Sequence, residues 1–226
     1  MKILIAHFRK HSSLCSRRTG GLLLFAPVLA VLMLTGCLSR PALDRQTFAF
    51  GWPETPSTNA PGRDGVLGIR KITVASPFES RSLVYRTGED AYVRDPYAEF
   101  LDSPEEGLMT PLRVRLGSQG DFKTVLEPGS GVRPGMWVEI NVGQLYGDFR
   151  QRTRPQAVLT MRFIFFSATT NFPSKPFFQR EYSRDIVLGA PTAPELMKGW
   201  NQALDEITAE ALSDLRGSKA GETNTN

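Results

Sequence analysis

The sequence has few of the residues on which most enzyme sites depend. Its 226 residues include two histidines and two cysteines, and His7, His11 and Cys15 all precede position 37. From position 37 onward the chain contains no histidine, and Cys37 is its single cysteine. Ser-His-Asp and Cys-His nucleophiles need an imidazole, and zinc sites draw mainly on His and Cys. Residues 37–226 therefore exclude these sites and an intramolecular disulfide.

Nucleotide-binding loops are missing too, because the sequence contains neither GxxxxGK[ST] nor GxGxxG. A pair of carboxylates could still hydrolyse a glycoside. The neighbours Glu105–Glu106 and Asp205–Glu206 are the candidates, but both pairs lie in predicted helices, where adjacent side chains point about 100° apart. We expect these residues to solvate helix surfaces, and we expect the protein not to be an enzyme.

Charge and hydropathy change at position 37. Residues 1–36 contain five basic residues, no acidic residue and a 14-residue apolar run, GLLLFAPVLAVLML, at 21–34. A basic start, a short apolar run and small residues at its end are typical of a cleaved secretory signal. An uncleaved membrane anchor is the alternative, but the run contains Pro27 and is shorter than the roughly 20 residues that span a bilayer.

Removal of the signal lowers the net charge from +4 to about −1, because 22 basic residues then face 23 acidic ones. A nucleic-acid partner loses its electrostatic basis at that charge, so none is expected.

The signal ends in Leu34-Thr35-Gly36-Cys37, which resembles the bacterial lipobox, Leu-small-small-Cys. The resemblance implies that Cys37 becomes the first residue of the mature chain and carries diacylglycerol and N-acyl lipid, with no other cofactor. Two or more acyl chains anchor a protein stably, whereas one does so marginally. Position 38 is Leu rather than Asp, which by the resemblance favours the outer membrane over the inner one, at the periplasmic face of the envelope.

The mature chain is long enough for one domain with its own core. Period-2 alternation of apolar residues at 136–142 and 157–165, with a third strand at 178–188, predicts an antiparallel sheet covered on one face. Further strands are predicted at 66–75, with a bulge at Arg70–Lys71, and in a hairpin that turns at residues 87–90. The predicted organisation is a signal peptide at 1–36, a lipidated tether with a candidate first strand and a Pro-rich loop at 37–65, a folded domain at 66–216 and a disordered tail at 217–226.

Two helices are predicted to pack on this sheet. Ser103 is the expected N-cap of the central helix, with Pro104 at its first position, Glu106 completing a capping box and Gly117 as its end. The C-terminal helix is expected to end at Gly217. Its apolar stripe comprises Leu196, Trp200, Ala203, Leu204, Ile207, Ala211 and Leu215. We expect the stripe to dock on the sheet, the alternative being a partner-binding helix. The fold class is therefore α+β, a single domain whose mainly antiparallel sheet is packed by a central and a C-terminal amphipathic helix.

Several pieces of residues 67–116 carry a resemblance to a known family. They are Ile72-Thr73-Val74, Tyr85-Arg86-Thr87-Gly88, Tyr92, Pro96-Tyr97-Ala98-Glu99-Phe100 and the helix that begins at Pro104. The segment resembles the ABC-type transport auxiliary lipoproteins, which include the paraquat-inducible protein C-like lipoproteins. The resemblance implies a non-catalytic accessory lipoprotein of an MCE-type lipid transport system.

The expected partners are an MCE-domain protein with its ABC permease and ATPase, and the membrane that holds the lipid anchor. A ring-shaped homo-oligomer would suit the rotational symmetry of such a partner. The first alternative is an independent carrier that binds lipid or another hydrophobic molecule. An envelope hydrolase and an assembly factor are the others.

The same segment is rich in tyrosine and arginine, which are enriched at interface hot spots. The candidate partner surface comprises Arg81, Tyr85, Arg86, Tyr92, Arg94, Tyr97 and Phe100. The alternative is that Tyr97 and Phe100 fill the core. A second candidate is the phenylalanine-rich segment at 165–178, interpreted either as a rim for lipid or protein or as strand ends that close the core.

Overall fold

The structure, a computed structural model, describes residues 45–51, 65–120, 122–168 and 175–223. The predicted signal peptide, the predicted lipidation site Cys37 and most of the predicted Pro-rich loop lie outside these residues. The elements are β1 (Gln46–Phe48), β2 (Gly65–Val74), a 3-10 turn (Ser76–Phe78), β3 (Ser82–Arg86), β4 (Tyr92–Phe100), α1 (Pro104–Gly107), α2 (Met109–Gln119), β5 (Phe122–Leu126), β6 (Met136–Asp148), β7 (Gln156–Ser167), β8 (Pro176–Val187) and α3 (Ala193–Thr223).

The eight described strands form one mixed sheet with β6 at its centre. β7 lies along one edge of β6 and pairs onward with β8, and both of these long pairings are antiparallel. The other edge of β6 is shared, because β2 pairs in parallel with its first half and β3 with its last two residues. β5 extends the sheet beyond β2, while β4 and then β1 extend it beyond β3. The predicted α+β fold is confirmed.

Alternation decides which side chains enter the core. On β6, Val138, Ile140 and Val142 are at most 1% exposed, and the alternate residues of β7 from Ala157 to Phe165 are all at 0%. In β2 the pairing shifts between Ile69 and Lys71, which confirms the predicted bulge. The inserted residue lets both Ile69 and Ile72 face the core although they are three positions apart.

Helix α3 covers the core face of the sheet. Every residue of its predicted apolar stripe is at most 3% exposed, so the prediction that the stripe docks on the sheet is confirmed. The indole of Trp200 donates a hydrogen bond to the carbonyl oxygen of Val158 at 3.1 Å. At Gly199 an added Cβ would lie 2.6 Å from the Cβ of Ala157, so only glycine permits this close approach of helix and strand.

The central helix is divided into α1 and α2. Its start is as predicted: the Ser103 hydroxyl accepts a hydrogen bond from the Glu106 amide at 3.3 Å and donates one to the Glu106 carboxylate at 2.9 Å. The division falls at Leu108, between Gly107 and Pro111. Pro111 lies in the first turn of α2, where no intrahelical donor is needed.

Both predicted helix ends are wrong. α2 passes Gly117 and ends at Gly120, where an added Cβ would lie 2.5 Å from the Leu116 carbonyl oxygen. α3 passes Gly217 and continues to Thr223, so residues 217–223, expected in a disordered tail, are helical. A glycine inside a helix costs only about 1 kcal/mol, and the following Ser218 hydroxyl bonds back to the Leu215 carbonyl at 2.8 Å.

The segment at 46–51, predicted as part of the tether, belongs to the folded domain. β1 pairs in parallel with the end of β4. Phe50 is 2% exposed and stacks on Phe100 with ring centroids 5.0 Å apart, while the ring of Trp200 lies 6.4 Å away. The core therefore begins before residue 66, the predicted boundary.

Both backbone polar groups of Gly51 are held by helices. Its amide donates to Asn201 Oδ1 at 2.9 Å, and its carbonyl accepts from Arg115 at 2.8 Å. The Arg115 side chain is 3% exposed and also pairs with Asp205 at 2.6 Å. We call Phe50, Gly51, Arg115 and Asn201 the N-terminal clasp, because they fix the start of the domain to α2 and α3.

Candidate partner-binding surface

The hairpin of β3 and β4 carries most of the predicted partner surface. Its turn closes through a hydrogen bond from the Thr87 amide to the Ala91 carbonyl at 2.9 Å, and Arg86 pairs with Tyr92 across the strands. The predicted hairpin is confirmed. Since β3 joins the centre of the sheet only through its last two residues, the hairpin forms a flank of the domain.

Large hydrophobic side chains are exposed along β4. Four of the six such residues in the described ranges lie on this strand or directly after it: Tyr92 at 48%, Val93 at 50%, Tyr97 at 47% and Leu101 at 55%. We call these four residues the β4 ridge. A groove of about 300 Å³ lies beside it, lined by Pro77, Phe78, Val84, Tyr92, Val93 and Arg94. The alternative that Tyr97 fills the core is therefore wrong.

The phenol of Tyr85 and the carboxylate of Asp95 organise the middle of β4. One Asp95 oxygen accepts hydrogen bonds from the amides of Tyr97 at 2.8 Å and Ala98 at 3.0 Å. The other accepts from the Tyr85 hydroxyl at 2.6 Å. Burial, followed by this hydrogen bond, raises the pKa of Tyr85 well above its usual range. The Asp95 contacts form a local turn at Pro96, where the pairing of β4 with β3 shifts register between Arg94 and Glu99.

Tyr92 is held by an aromatic cluster. Its ring meets the ring of Tyr146 edge-on at 5.5 Å and that of Phe78 at 6.4 Å, and the Arg86 guanidinium lies 5.8 Å from its centroid. Aromatic pairs of this geometry add about 0.5–1.5 kcal/mol to simple burial. These contacts therefore hold the half-exposed ring of Tyr92 in place.

The three predicted arginines hold the hairpin together. Arg81 donates to the Phe100 carbonyl at 2.9 Å and to the Glu99 carboxylate at 3.0 Å. Arg86 donates to the Glu89 carbonyl at 3.1 Å. Arg94 donates to the Pro77 carbonyl at 3.1 Å and to the Ser80 hydroxyl at 3.2 Å. Their first role is thus to rigidify the support of the β4 ridge.

Phe100 does not belong to the surface. Its ring is 3% exposed and lies in the core between Phe50 and Trp200. Strand alternation sends Ala98 and Phe100 inward, which leaves the next residue, Leu101, outside. Leu101 and Val93 were missed by the sequence analysis. The sequence contained the necessary pattern in Tyr92-Val93 and Phe100-Leu101. Adjacent side chains of a strand point to opposite faces, so one residue of each apolar pair must point away from the core.

The phenylalanine-rich segment closes the core. Phe165 is 0% and Phe166 8% exposed, and Phe177 and Phe178 pack against the core. The alternative interpretation as strand ends is confirmed for these four residues, while Phe172 lies outside the described residues.

The remaining acidic candidates serve helices. Asp205 pairs with Arg115, Glu206 pairs with Arg184 at 3.0 Å, and Glu105 and Glu106 are exposed. Across the described ranges, no cluster of three or more His, Cys, Asp or Glu residues could hold a metal ion. No helix in that part of the chain has both the length and the hydropathy needed to cross a bilayer.

No protein-family model and no curated protein matches the sequence. The fold, however, is similar to that of solved structures. Protein XCC0632 from Xanthomonas campestris, of the family DUF330, superposes with a TM-score of 0.64 at 14% identity, over 80% of this chain and 100% of that one. An uncharacterized protein superposes with a TM-score of 0.60 at 12% identity, over 76% of this chain and 99% of that one. At these identities the likeness establishes that the chain shares the fold of the DUF330 structure.

Proposed function

We propose that the protein is a lipid-anchored, non-enzymatic accessory subunit of an MCE-type ABC lipid transport system, located at the periplasmic face of the Gram-negative envelope. Cys37 carries the lipid, and the β4 ridge docks the MCE-domain protein or its permease. The lipobox at 34–37 and the family resemblance of 67–116 support this proposal, and the fold shared with a DUF330 protein agrees with it.

The observation that carries the docking role is the β4 ridge. Scattered single exposed hydrophobic residues are ordinary, whereas their concentration on one strand marks a candidate interaction site. Here four large hydrophobic residues are concentrated on ten positions, and each is about half exposed. The arginine contacts and the Asp95 turn hold the ridge rigid, so a partner would pay little ordering entropy on binding.

The ridge favours docking over the alternative of an independent lipid carrier. The apolar grooves at Val66–Met136–Leu215, at Phe48–Leu101–Pro111 and beside the β4 ridge measure about 280, 190 and 300 Å³. Sites for drug-sized ligands span roughly 300–1,000 Å³, so each groove lies at or below the small end of that range.

Affinity purification of the tagged full-length protein from crosslinked envelopes, with mass spectrometry, tests the proposal. The wild type should recover an MCE-domain protein with its permease or ATPase. The double variant Tyr92→Ala/Tyr97→Ala should lose at least tenfold of this recovery, since each truncated aromatic anchor costs about 1–2 kcal/mol or more. Val187→Ala is the matched control, because Val187 is 52% exposed on a different strand and should leave recovery unchanged.

Two outcomes would contradict the proposal. Recovery of bound lipid without a protein partner would favour the carrier. Equal recovery by the wild type and the tyrosine double variant would show that the β4 ridge is not the docking surface. A hydrolase screen on the purified protein tests the non-enzymatic part, for which we expect no turnover.

A further inference from the structure

One end of the sheet carries a turn that contains only basic charge. The turn joins β6 to β7 and reads Phe-Arg-Gln-Arg-Thr-Arg-Pro at 149–155, with arginines at 150, 152 and 154. Three residues of the turn, Arg150, Gln151 and Arg154, line a pocket of about 310 Å³ together with Asp148 and Gln156. The arginine side chains are exposed, and the turn is fixed to the fold by a hydrogen bond from the Leu188 amide to the Pro155 carbonyl at 2.8 Å.

The arginines of this basic turn are not equivalent. Arg150 is paired with the nearly buried Asp148, with nitrogen–oxygen distances of 2.6 to 3.1 Å, and these hydrogen bonds hold the pKa of Asp148 below its usual range. Arg152 and Arg154 form no ion pair within the described ranges. Two positive charges therefore remain uncompensated on the turn itself. The same sheet end also carries acidic residues: Glu89 and Asp90 lie on the neighbouring hairpin turn, Asp185 lies two positions before the end of β8, and Glu195 at the start of α3 is paired with Lys198.

The direction of β1 shows from which end of the sheet the chain enters the folded domain. β3 and β6 are parallel and end together at Arg86 and Asp148, and β4 begins at the same end with Tyr92. β1 runs parallel to β4, away from that end, and its first residue, Gln46, pairs with Ala98. The chain therefore enters β1 from the side of the basic turn.

The length of the tether agrees with this placement. Because Tyr92 pairs with Arg86 and Glu99 pairs with Ser82, Ala98 and its partner Gln46 lie about three strand positions, or about 10 Å, from Tyr92. Cys37 is nine residues before Gln46, and nine residues span at most about 30 Å. The lipid on Cys37 can thus reach beyond the sheet end that carries the basic turn. To reach the opposite end, the chain would have to reverse its direction within the same nine residues.

We propose that the basic turn, through Arg152 and Arg154, contacts the phosphate-bearing headgroups of the anionic membrane in which Cys37 is anchored. This inference rests on the proposed lipidation but not on the proposed partner. Guanidinium groups bind phosphate oxygens through pairs of hydrogen bonds. Each arginine near an anionic bilayer strengthens binding to the bilayer about fivefold, so Arg152 and Arg154 together should strengthen the contact about 25-fold.

Fluorescence quenching in vesicles tests the contact. The mature chain has no cysteine besides Cys37, so Thr153→Cys in the basic turn can be labelled with a fluorophore on the acylated protein. Ser130→Cys is the matched control, because it lies in an exposed loop near the start of β6, at the other end of the sheet. Both proteins are reconstituted in phosphatidylcholine vesicles, with or without about one third phosphatidylglycerol, that contain a headgroup spin-labelled lipid.

We expect strong quenching at position 153 and weak quenching at 130 in the anionic vesicles. The signal at 153 should fall in neutral vesicles, at raised salt and in the Arg152→Gln/Arg154→Gln variant. It should rise in Glu89→Gln/Asp90→Asn, which removes two of the negative charges at this end of the sheet. Equal quenching at both positions, or no response to lipid charge and to the arginine variant, would overturn the inference.

Two further readouts separate the possible failures. Loss of the signal at 153 on addition of inorganic phosphate would point to a free-anion site and would overturn the membrane assignment. Mass spectrometry that finds Cys37 unacylated would refute the anchored lipoprotein as well as this contact. Acylated protein without charge-dependent quenching would refute only the contact and would leave the proposed docking role untouched, because no transport partner is present in the assay.

Discussion

The N-terminal clasp predicts that the first described residues are essential to the stability of the whole domain. Phe50 is 2% exposed and packs on Phe100 and Trp200, which belong to β4 and α3. Truncation of a buried phenylalanine to alanine costs about 3–5 kcal/mol, a value that includes the cavity left behind. The free energy of unfolding of a domain is roughly 5–15 kcal/mol, so Phe50→Ala should remove a large part of it.

The assay is urea unfolding followed by far-UV circular dichroism. Phe50→Ala should lower the free energy of unfolding by about 3–5 kcal/mol and the midpoint of thermal unfolding by about 6–20 °C, at about 2–4 °C per kcal/mol for a chain of this size. Leu101→Ala is the matched control, since Leu101 is 55% exposed in the same region and should cost less than about 0.5 kcal/mol.

Phe50 and Phe100 should also be energetically coupled. Phe100→Ala should cost a similar amount, but the double variant should cost less than the sum of the two, because the stacked pair is removed only once. A loss below about 1 kcal/mol for Phe50→Ala, or strict additivity with Phe100→Ala, would refute the assignment of residues 46–51 to the core.

Three other predictions concern single contacts. Gly68→Ala should cost about 1–3 kcal/mol, because the new Cβ would lie 2.5 Å from the indole of Trp137; chemical denaturation measures the loss, and an unshifted transition would contradict the packing. The raised pKa of Tyr85 means that the folded state favours the neutral phenol, so this stabilisation is complete below pH 10 and is lost above it. Denaturant titrations at alkaline pH should therefore show that the free energy of unfolding falls less steeply with pH in Tyr85→Phe than in the wild type. An equal slope in the two proteins would contradict this prediction. The pKa of Asp148 is lowered chiefly by its hydrogen bonds with Arg150, so its stabilisation is present above the usual aspartate pKa and is lost as the pH falls below that value. In Asp148→Asn the free energy of unfolding should therefore decline less steeply at acid pH. An unchanged acid decline would argue against the stabilising role of the Asp148–Arg150 pair.

The sequence predicts those parts of the fold in which one face is covered. The alternation of Val138, Ile140 and Val142 is unambiguous because only one face of β6 is packed in the core at these positions. The stripe on α3 is equally clear for the same reason. In each case the burial of one face requires apolar residues at a regular spacing, which is every second residue in the strand and every third or fourth residue in the helix.

Helix ends and surface membership depend on contacts that no local pattern contains. Gly117 resembles a helix end, but the stop falls at Gly120, where the Leu116 carbonyl excludes a Cβ. Phe100 resembles an interface residue, but it is buried because Phe50, 50 positions earlier, stacks on it. The exposed side of β4 was predictable from its tyrosines, while the partners of its arginines were not, since several of them are backbone carbonyls.

The β4 ridge and the basic turn are arranged so that both can act at once. Tyr92 begins the ridge at the sheet end from which the tether enters, and Leu101 closes it roughly 20 Å away, because the turn at Pro96 shortens β4 relative to β3. With the basic turn on the headgroups, the ridge would therefore run outward from the bilayer instead of lying on it. A protein that projects from the membrane could contact the ridge along its whole length while Cys37 remains anchored. Because the N-terminal clasp fixes β1 to both helices, the lipid would set the distance of the ridge from the membrane through no more than nine residues of tether.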